Sequence, residues 1–272
     1  PAKCFVKPET TEELISVLKV VQEEKIPFYV IGGGSKMLIS DKGFDGLIIK
    51  TNNKNLEIKD NIISVDAGVL TNHLIQKAKE KSLTGMEWLA GIPGMVGGSI
   101  SGNAGAFGGS MEDIIETVQA FDLKTGEIID FSKEDCQFGY RSSVFKKSSN
   151  LIILSADIKL KEGNKEEIKK EMEKYFNHRR ENHPLRYPSV GCIFTNPIDP
   201  KTGEELQAWK VVVDCDLIGK RIGNVKVSEK HSNFIVNLGD GKASEVEELI
   251  NLIKKTAQEK FNINLTEEVQ YL

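Results

Sequence analysis

Residues 88–111 read Trp-Leu-Ala-Gly-Ile-Pro-Gly-Met-Val-Gly-Gly-Ser-Ile-Ser-Gly-Asn-Ala-Gly-Ala-Phe-Gly-Gly-Ser-Met. They include no charged residue, although 28% of the chain is charged, and nine of the 24 glycines lie between Gly85 and Gly109. Glycine, proline and polar residues exclude a stable membrane-spanning helix here. Because glycine lets a ligand approach the main chain closely, we predict a loop whose N–H groups bind a polyphosphate. The alternative is a set of tight turns in a glycine-rich β domain.

A second glycine-rich loop favours the polyphosphate interpretation. Phe28–Ile31 is a short apolar run with strand propensity, and residues 32–35 read Gly-Gly-Gly-Ser directly after it. Ligands commonly bind where a loop leaves the end of a strand, so the two loops together suit one dinucleotide. Neither loop has the spacing of a standard NAD-binding unit, because Met37 stands where a third glycine would be required and the glycines of residues 91–97 are each separated by two residues.

Length, charge and cysteine content exclude several classes of protein. A chain of 272 residues, 39% of them hydrophobic, has room for a substantial core in two units. The net charge of -4 gives no overall attraction for nucleic acid or for an anionic membrane, so we expect neither as a partner. The first residues carry no signal-peptide pattern, and the four cysteines are widely separated, which predicts reduced thiols, no metal site and a cytoplasmic protein.

Periodicity and turn signals divide the chain into three parts. We predict an α+β lobe over residues 1–54, a β-rich lobe over residues 55–180 and a C-terminal α+β domain over residues 181–272. The local predictions are a helix capped by Thr10-x-x-Glu13, a hairpin turning at Lys124-Thr125-Gly126, a strand at 189–195, and helices at 166–180, 205–213 and 243–261, the last capped by Ser244-x-x-Glu247.

Six motifs occur in a fixed order along the chain. They are Gly-Gly-Gly-Ser at 32–35, the glycine-rich run at 91–108, Tyr-Arg-Ser-Ser-Val-Phe-Lys at 140–146, Pro-Ser-Val-Gly-Cys-Ile-Phe at 188–194, Lys-His-Ser-Asn-Phe-Ile-Val-Asn at 230–237, and Leu265-x-x-Glu268-Val269. In this order they resemble the UDP-N-acetylenolpyruvoylglucosamine reductases, flavoenzymes of peptidoglycan precursor synthesis, over nearly the whole chain. The short connection between Phe145 and Leu151 resembles the second, shorter subclass of that family.

This resemblance implies a fold class and a reaction. The fold class is α+β, with a two-lobed FAD-binding module of the vanillyl-alcohol-oxidase type followed by a C-terminal α+β substrate-binding domain. The implied cofactors are FAD and NADPH, and the implied substrate is UDP-N-acetylglucosamine enolpyruvate, which is reduced to UDP-N-acetylmuramate. We expect a monomer that binds small molecules only.

The resemblance also implies the catalytic residues. Arg141 matches an arginine that contacts the substrate carboxylate, for which a guanidinium offers forked donors. Glu268 matches an acid that supports the developing enol, and Cys192 stands where familiar members have a proton-donating serine. A thiol, with a reference pKa of about 8.5, is mostly protonated at neutral pH and is able to donate. The alternatives are a surface ion pair for Arg141, a solvated Glu268 and a space-filling Cys192.

Binding residues are predicted from the same motifs. Substrate contacts are expected from Tyr140, Arg179 and Asn196, although Arg179 is equally explained as the charged end of a helix. His231 is interpreted as structural. Cofactor contacts are expected from Gly32, Gly33, Gly34, Ser35, Gly91, Pro93, Gly94, Gly97, Gly98, Asn103 and Gly105.

Several positions depart from the family pattern. Thr195 stands in place of a common lysine, and Trp209 and Asp216 stand in place of glycines. The resemblance also places part of the flavin site upstream of Pro1. Two other functions therefore stay open: another FAD-linked oxidoreductase of the same superfamily, and a catalytically silent module that binds flavin or nucleotide.

Overall fold

The computed structural model describes the whole chain, Pro1–Leu272, and contains seven α-helices. The helices are α1 (Thr11–Glu23), α2 (Thr71–Glu80), α3 (Val96–Ser101), α4 (Val144–Lys147), α5 (Lys165–Asn182), α6 (Ala208–Asp214) and α7 (Ala243–Phe261). No helix has both the length and the apolar composition that crossing a membrane requires.

The strands are short and numerous. They are β1 (Ala2–Val6), β2 (Phe28–Ile31), β3 (Met37–Leu38), β4 (Phe44–Lys50), β5 (Leu56–Lys59), β6 (Ile62–Asp66), β7 (Leu83–Thr84), β8 (Gly105–Ala106), β9 (Gly109–Ser110), β10 (Ile115–Asp122), β11 (Glu127–Ser132), β12 (Leu151–Lys159), β13 (Lys161–Glu162), β14 (Ser189–Cys192), β15 (Arg221–Ile222), β16 (Val225–Val227), β17 (Phe234–Asn237) and β18 (Gln270–Tyr271). Two 3-10 helices, Glu87–Leu89 and Met111–Asp113, complete the set.

The chain forms two compact units. The larger unit comprises Ala2–Gly34 and Asp45–Asn177, and the smaller unit comprises Pro1, Ser35–Phe44 and His178–Leu272. The smaller unit therefore takes one segment from the early part of the sequence. The predicted boundaries at residues 54 and 180 do not assign this early segment to the C-terminal domain. The division of the N-terminal part into two lobes stays a prediction.

Two sheets organise the larger unit. A three-stranded sheet has the order β1-β4-β2, with β2 and β4 parallel, and a five-stranded sheet has the order β11-β10-β12-β6-β5, with antiparallel neighbours. Helix α1 contributes the buried Leu14, Leu18 and Val21 to a core that also contains Ile49 and Phe121. A second core lies between the five-stranded sheet and helices α2 and α3.

Local sequence signals fix the ends of these elements. The Thr10 side chain accepts a hydrogen bond from Glu13 N at 3.1 Å and so caps α1, as predicted. The predicted hairpin is also confirmed, since β10 and β11 pair as far as Asp122 and Glu127, and Gly126 has a φ of +75° in the connecting loop. Such a φ favours glycine because it carries no Cβ.

The smaller unit contains a four-stranded antiparallel sheet of order β14-β17-β16-β15. Its core includes Val211 of α6 and a buried stripe of α7 formed by Leu249, Ile250 and Ile253. A separate two-stranded sheet pairs β18 with β3 in parallel, which places Gln270 opposite Met37. An early segment of the sequence thus shares a sheet with its last residues.

The strand predicted at residues 189–195 is shorter in the structure. Strand β14 ends at Cys192. Within it, Gly191 adopts a φ of +76° and the pairing with β17 shifts register between Ser189 and Cys192. A residue in the left-handed region interrupts the regular ladder, and pairing resumes at Cys192.

Helix α7 has the predicted bounds, but its predicted cap is wrong. Ser244 lies inside the first turn of α7 and does not pair with Glu247 as a cap. Asp41 takes this role instead, since its carboxylate accepts hydrogen bonds from Ala243 N at 2.9 Å, Ser244 N at 3.1 Å and Ser244 Oγ at 2.9 Å. A carboxylate satisfies the free N–H groups and interacts favourably with the positive end of the helix dipole.

Replacement of Asp41 with alanine removes these three hydrogen bonds, so we expect the melting temperature to fall by a few degrees. The control is Asp240→Ala, which removes an exposed carboxylate just before the same helix. Hydrogen bonds from Ala243 and Ser244 lower the pKa of Asp41, so the difference from the unmodified protein should be present at neutral pH and fade as the pH falls below about 4. Equal melting temperatures for the two variants, measured by calorimetry, would contradict the capping role.

Candidate active site

Contact between two glycine loops is the first feature of the larger unit's candidate site. A methyl group placed on Gly33 would lie 3.2 Å from Gly94 Cα, and one on Gly32 would lie 3.6 Å from Met95 Cβ. Gly34 has a φ of +69° and Gly94 a φ of +145°, conformations that side chains rarely allow. The two loops predicted to bind one ligand therefore lie side by side, at a spacing that glycine permits.

Other glycines of the two loops either pack tightly or leave the main chain open. A methyl group on Gly97 would lie 2.8 Å from Ala67 Cβ, and Gly97 N donates to Ala67 O at 2.9 Å. A methyl group on Gly34 or Gly98 would have no atom within 4 Å. These open positions expose main-chain groups beside the paired loops, so the residues present fit an FAD diphosphate, which needs a cradle without side chains.

Asn103 uses its side chain to hold the glycine segment in place. It is 5% exposed and has a φ of +40°. Its Oδ1 accepts a hydrogen bond from Glu112 N at 3.0 Å, and its Nδ2 donates to Gly139 O at 3.0 Å. The side-chain amide predicted to contact the cofactor is thus engaged by the protein's own main chain.

Arg141 lies directly against the glycine segment. Its Nη2 donates to Gly105 O at 2.8 Å, and a methyl group on Gly105 would approach Nη1 to 3.3 Å. The guanidinium also lies 5.3 Å from the ring centre of Tyr140, which is 55% exposed. Arg141 itself has a φ of +54°, a strained conformation for a residue other than glycine. The structure therefore keeps this cation at the edge of the cradle.

The turn that carries Arg141 is fixed by its neighbours in the same motif. Lys146 Nζ donates to Arg141 O at 2.9 Å, and this bond helps to hold the strained main chain of Arg141 in place. Ser143 is buried, donates through Oγ to Ser101 O at 2.7 Å and accepts from Lys146 N at 3.3 Å as the cap of α4. The motif thus links α4 to the end of α3.

In the smaller unit, Cys192 is a half-buried thiol at the end of β14. Two other cysteines are fully buried, and burial raises the pKa of Cys136 to about 12 and that of Cys215 above its ordinary range. Raised values keep those two thiols unreactive. Cys192 and the exposed Cys4 are therefore the thiols that solvent and ligands reach.

Lys36 connects Cys192 to Glu268. Its Nζ donates to Cys192 O at 2.6 Å and lies 3.1 Å from Glu268 Oε1. Glu268 N donates to Ile193 O at 2.8 Å, so the main chain of the acid also lies beside β14. Three segments that are far apart in sequence thus meet at one point within the smaller unit.

The neighbouring Glu267 points to different partners. Its Oε1 lies 2.6 Å from Lys254 Nζ, and its Oε2 accepts a hydrogen bond from the Tyr271 hydroxyl. The two adjacent glutamates therefore divide, with Glu268 on the side of Cys192 and Glu267 on the side of α7. Glu268 is thus the acid that shares a lysine with the Cys192 main chain.

The smaller unit also contains two residues predicted to bind the substrate, Arg179 and Asn196. Arg179, in the last turns of α5, is 9% exposed. Asn196 accepts from Ala208 N at 3.0 Å and donates to Glu205 Oε1 at 3.0 Å. The helix predicted at residues 205–213 consequently begins at Ala208, where Asn196 satisfies the first N–H group. Substrate binding by Arg179 and Asn196 stays a prediction.

A half-buried pair of histidines packs against β17. The rings of His183 and His231 lie 5.3 Å apart, and both contact Phe234, which pairs with Cys192 across the sheet. Burial and the neighbouring His231 lower the pKa of His183 to about 4, and burial lowers the pKa of His231. Both rings are therefore neutral at physiological pH and act as part of the apolar packing.

Two groups of predicted residues are thus brought together. The larger unit joins the glycine loops to Arg141, and the smaller unit joins Cys192 to Glu268. No sequence motif indicated Lys36, although it is the first charged residue after the Gly-Gly-Gly-Ser loop. Its position after that loop was the only nearby sequence feature that pointed to it, because its partners, Cys192 and Glu268, are more than 150 residues away.

Models of two known domain families match separate parts of the chain. The C-terminal domain model of UDP-N-acetylenolpyruvoylglucosamine reductase matches residues 183–272, and an FAD binding domain model matches residues 2–132. A reductase of that name from Caldanaerobacter subterraneus subsp. tengcongensis is 38% identical over 271 residues, which cover 99% of this chain and 87% of the relative. The reductase from Clostridioides difficile is 39% identical over 274 residues, covering 100% of this chain and 88% of the relative.

A solved structure is similar over the same length. The UDP-N-acetylenolpyruvylglucosamine reductase from Thermus caldophilus has a TM-score of 0.81 and 33% identity, with 98% of this chain and 91% of that chain covered. The predicted fold class is therefore confirmed: an FAD-binding module of the vanillyl-alcohol-oxidase type is followed by a C-terminal domain of the reductase type.

Replacement of Gly33 with valine should weaken FAD binding by about tenfold or more, which corresponds to about 1.4 kcal/mol for each factor of ten. The valine side chain would press on the Gly94 main chain and separate the two loops. Flavin absorbance after purification and titration with FAD provide the measurement. Gly239→Ala is the control, because a methyl group there meets no atom within 4 Å. Unchanged FAD affinity in Gly33→Val would refute the cradle.

Acid should destabilise the smaller unit through the histidine pair. Because the pKa of His183 is lowered from 6.5 to about 4, the unfolded chain binds a proton that the folded protein does not, and stability is lost as the pH falls from about 6.5 to 4. After allowance for solvent screening, we expect this loss to be about 1 to 2 kcal/mol.

Denaturant unfolding at several pH values measures this loss. The variant His183→Phe keeps an aromatic ring and should lose less stability over this range, whereas His73→Phe, at an exposed position of α2, should behave as the unmodified protein does. Identical pH dependence in His183→Phe and the unmodified protein would show that His183 makes no such contribution.

Proposed function

Because the chain belongs to the UDP-N-acetylenolpyruvoylglucosamine reductase family, we propose that it reduces UDP-N-acetylglucosamine enolpyruvate to UDP-N-acetylmuramate, with FAD as cofactor and NADPH as electron source. As in that family, it is an oxidoreductase of peptidoglycan precursor synthesis. The observation that carries the residue assignments is the meeting of Cys192 and Glu268 in the domain that matches the reductase model.

Arg141 binds the carboxylate of the substrate in this proposal. When bound and reduced by NADPH, FAD would supply a hydride to one carbon of the enolpyruvyl double bond, and the substrate must be oriented so that the other carbon is free to accept a proton. The Arg141 guanidinium lies on Gly105, at the edge of the glycine cradle, where its forked donors are held ready for a carboxylate. Its fixed position reduces the entropy lost on binding.

Cys192 supplies the proton. As the hydride adds, the electrons of the double bond form a new C–H bond at the carbon next to the carboxylate, and the S–H bond of Cys192 breaks to leave a thiolate. A thiol has an ordinary pKa of about 8.5, so it carries this proton at neutral pH without an adjacent base. The half-buried position of Cys192 at the end of β14 keeps the thiol accessible to the substrate.

Glu268 is the acid that supports the developing enol in this proposal. Its side chain is 15% exposed, its main chain is fixed by the bond from Glu268 N to Ile193 O, and Lys36 Nζ at 3.1 Å offsets its own negative charge. A group that is already held in place does not need to reorient as the reaction proceeds. We further propose that the protein acts as a monomer in the cytoplasm and binds no macromolecule.

Replacement of Cys192 with alanine should separate the two half-reactions. Reduction of FAD by NADPH should continue at a similar rate, while formation of UDP-N-acetylmuramate should fall by about a hundredfold or more, because general-acid catalysis typically contributes that much. Stopped-flow absorbance of the flavin and chromatography of the product measure the two steps. The variant Cys192→Ser should retain activity, and Cys4→Ala, at an exposed thiol, should leave both steps unchanged.

Undiminished product formation in Cys192→Ala would remove Cys192 from the mechanism. Absence of turnover by the unmodified protein at full FAD occupancy would indicate a silent flavin-binding module instead. Turnover of an alcohol or hydroxy acid with no response to NADPH would favour a different FAD-linked oxidoreductase. The assay with UDP-N-acetylglucosamine enolpyruvate and NADPH separates these outcomes.

A further inference from the structure

Lys36 is a charged residue that lies just outside the sequence motifs. It follows the Gly-Gly-Gly-Ser loop and directly precedes β3. Its ammonium group contacts two atoms, Cys192 O at 2.6 Å and Glu268 Oε1 at 3.1 Å. All three residues belong to the smaller unit, so the contacts are internal to one compact body.

Lys36 compensates the charge of Glu268. The Glu268 side chain is only 15% exposed, and the Lys36 side chain is 34% exposed. Removing a carboxylate from water costs several kcal/mol unless a cation and hydrogen bonds compensate it, and breaking such a pair leaves an uncompensated charge. An isolated Glu268 carboxylate would also repel a substrate that carries its own carboxylate.

Lys36 also fixes the main chain at Cys192. The ladder between β14 and β17 shifts register before Cys192, and Gly191 adopts a φ of +76°. At this irregular point the Lys36 ammonium takes the Cys192 carbonyl as its acceptor. A methyl group on Gly191 would lie 3.4 Å from Lys36 Nζ, which is ordinary contact, so the φ of Gly191, and not lack of space, favours glycine here.

The position of Lys36 is itself fixed from the other side. Gln270 N donates to Lys36 O at 2.9 Å, and β3 pairs with β18 immediately afterwards, with Gln270 opposite Met37. Because Glu268 lies two residues before Gln270, the same pairing sets the distance between the ammonium and the carboxylate. The nearby Glu267 is occupied by Lys254, so it does not compete for Lys36.

We propose that Lys36 is a positioning residue of the reductase, which holds the Cys192 main chain and the Glu268 carboxylate in one fixed arrangement. The roles of Cys192 and Glu268 rest on the proposed function, whereas the contacts that Lys36 makes do not. Lys36 acts through these two residues and transfers no proton. Its loss should therefore affect the step in which the proton reaches the substrate and leave the reduction of FAD by NADPH largely intact.

The first experiment compares the half-reactions of Lys36→Met and Lys42→Met. Both variants replace a lysine of the same segment, but Lys42 is exposed and lies outside the cluster. Lys36→Met should reduce FAD at a rate within about twofold of the unmodified protein, while its reduced flavin should be oxidised by the enolpyruvyl substrate about tenfold more slowly or worse. Lys42→Met should match the unmodified protein in both steps.

Conservative variants separate charge from shape. Lys36→Arg keeps the charge and should recover part of the lost rate, whereas Lys36→Gln keeps a donor for the Cys192 carbonyl without the charge and should recover less. In the Glu268→Gln background, Lys36→Met should cost much less than it does alone, because the two groups act as a unit. Equal effects of Lys36→Met in both backgrounds would overturn the proposal.

A measurement without turnover distinguishes this proposal from the proposed function. In a Cys4→Ser background, iodoacetamide reacts with Cys192 as the accessible thiol, since the remaining cysteines are buried. Loss of the Lys36 cation beside Glu268 should raise the pH of half-maximal alkylation by about one unit, and Lys36→Arg should restore it. No shift in Lys36→Met or in Lys36→Gln, with the fold intact by circular dichroism, would overturn the positioning role.

The alkylation measurement does not depend on which substrate the protein uses. Failure of the unmodified protein to turn over the enolpyruvyl substrate, together with a shift in alkylation, would refute the proposed function and retain the arrangement around Lys36. Normal turnover together with unchanged half-reactions in Lys36→Met would retain the function and refute the arrangement. A substantial fall in FAD reduction itself in a folded Lys36→Met would also count against it.

Discussion

Direct contact between main chains, without intervening side chains, is the constraint on which the larger unit depends. Gly33 touches Gly94 where two loops meet, and Gly97 touches Ala67 where α3 packs on the loop after β6. A Cβ would fit at Gly97 only if its neighbours moved, and at Gly33 it would make an unusually tight contact, so glycine sets how closely these segments approach. Arg141 then takes its position from this scaffold through Gly105. Packing therefore accounts for some of the glycines in residues 88–111 independently of the predicted ligand.

The smaller unit relies on charged side chains from one short segment. Ser35–Phe44 contributes Lys36 to the cluster with Cys192 and Glu268, and it contributes Asp41 to the first turn of α7. One side chain is a cation that contacts oxygen atoms, and the other is an anion that contacts N–H groups. The same ten residues thus contribute to both the candidate active site and the stability of the longest helix. A substitution that displaces this segment is therefore expected to affect both.

The features predicted correctly from sequence depend on interactions between residues close in the chain. Thr10 caps α1 through a residue three positions away, and Gly126 turns a hairpin whose strands are adjacent in sequence. The features that were missed depend on distant partners. Asp41 replaces Ser244 as the cap of α7 from about 200 residues away, and no periodicity or turn signal indicates such a contact.

The candidate site shows the same limit. Motif resemblance identified Cys192 and Glu268 individually, because each lies in a recognisable string of residues. It gave no means to place Lys36 between them, since that contact depends on the pairing of β3 with β18. Asn103 was predicted from its motif to contact the cofactor, which stays a prediction, and the motif did not indicate that its amide also bridges two loops. A sequence motif indicates that a site is present, whereas the three-dimensional structure shows which side chains meet there.

The parallel pairing of β3 with β18 has a consequence for biosynthesis. The smaller unit cannot complete its structure until the ribosome has added Leu272, because β3, made early, pairs with Gln270 and Tyr271, and Ser40 N donates a hydrogen bond to the carbonyl of Leu272. The larger unit needs no residue beyond Asn177. Its core is free to form first, so nascent chains should pass through a stage in which one body is folded and the other remains exposed to chaperones and proteases.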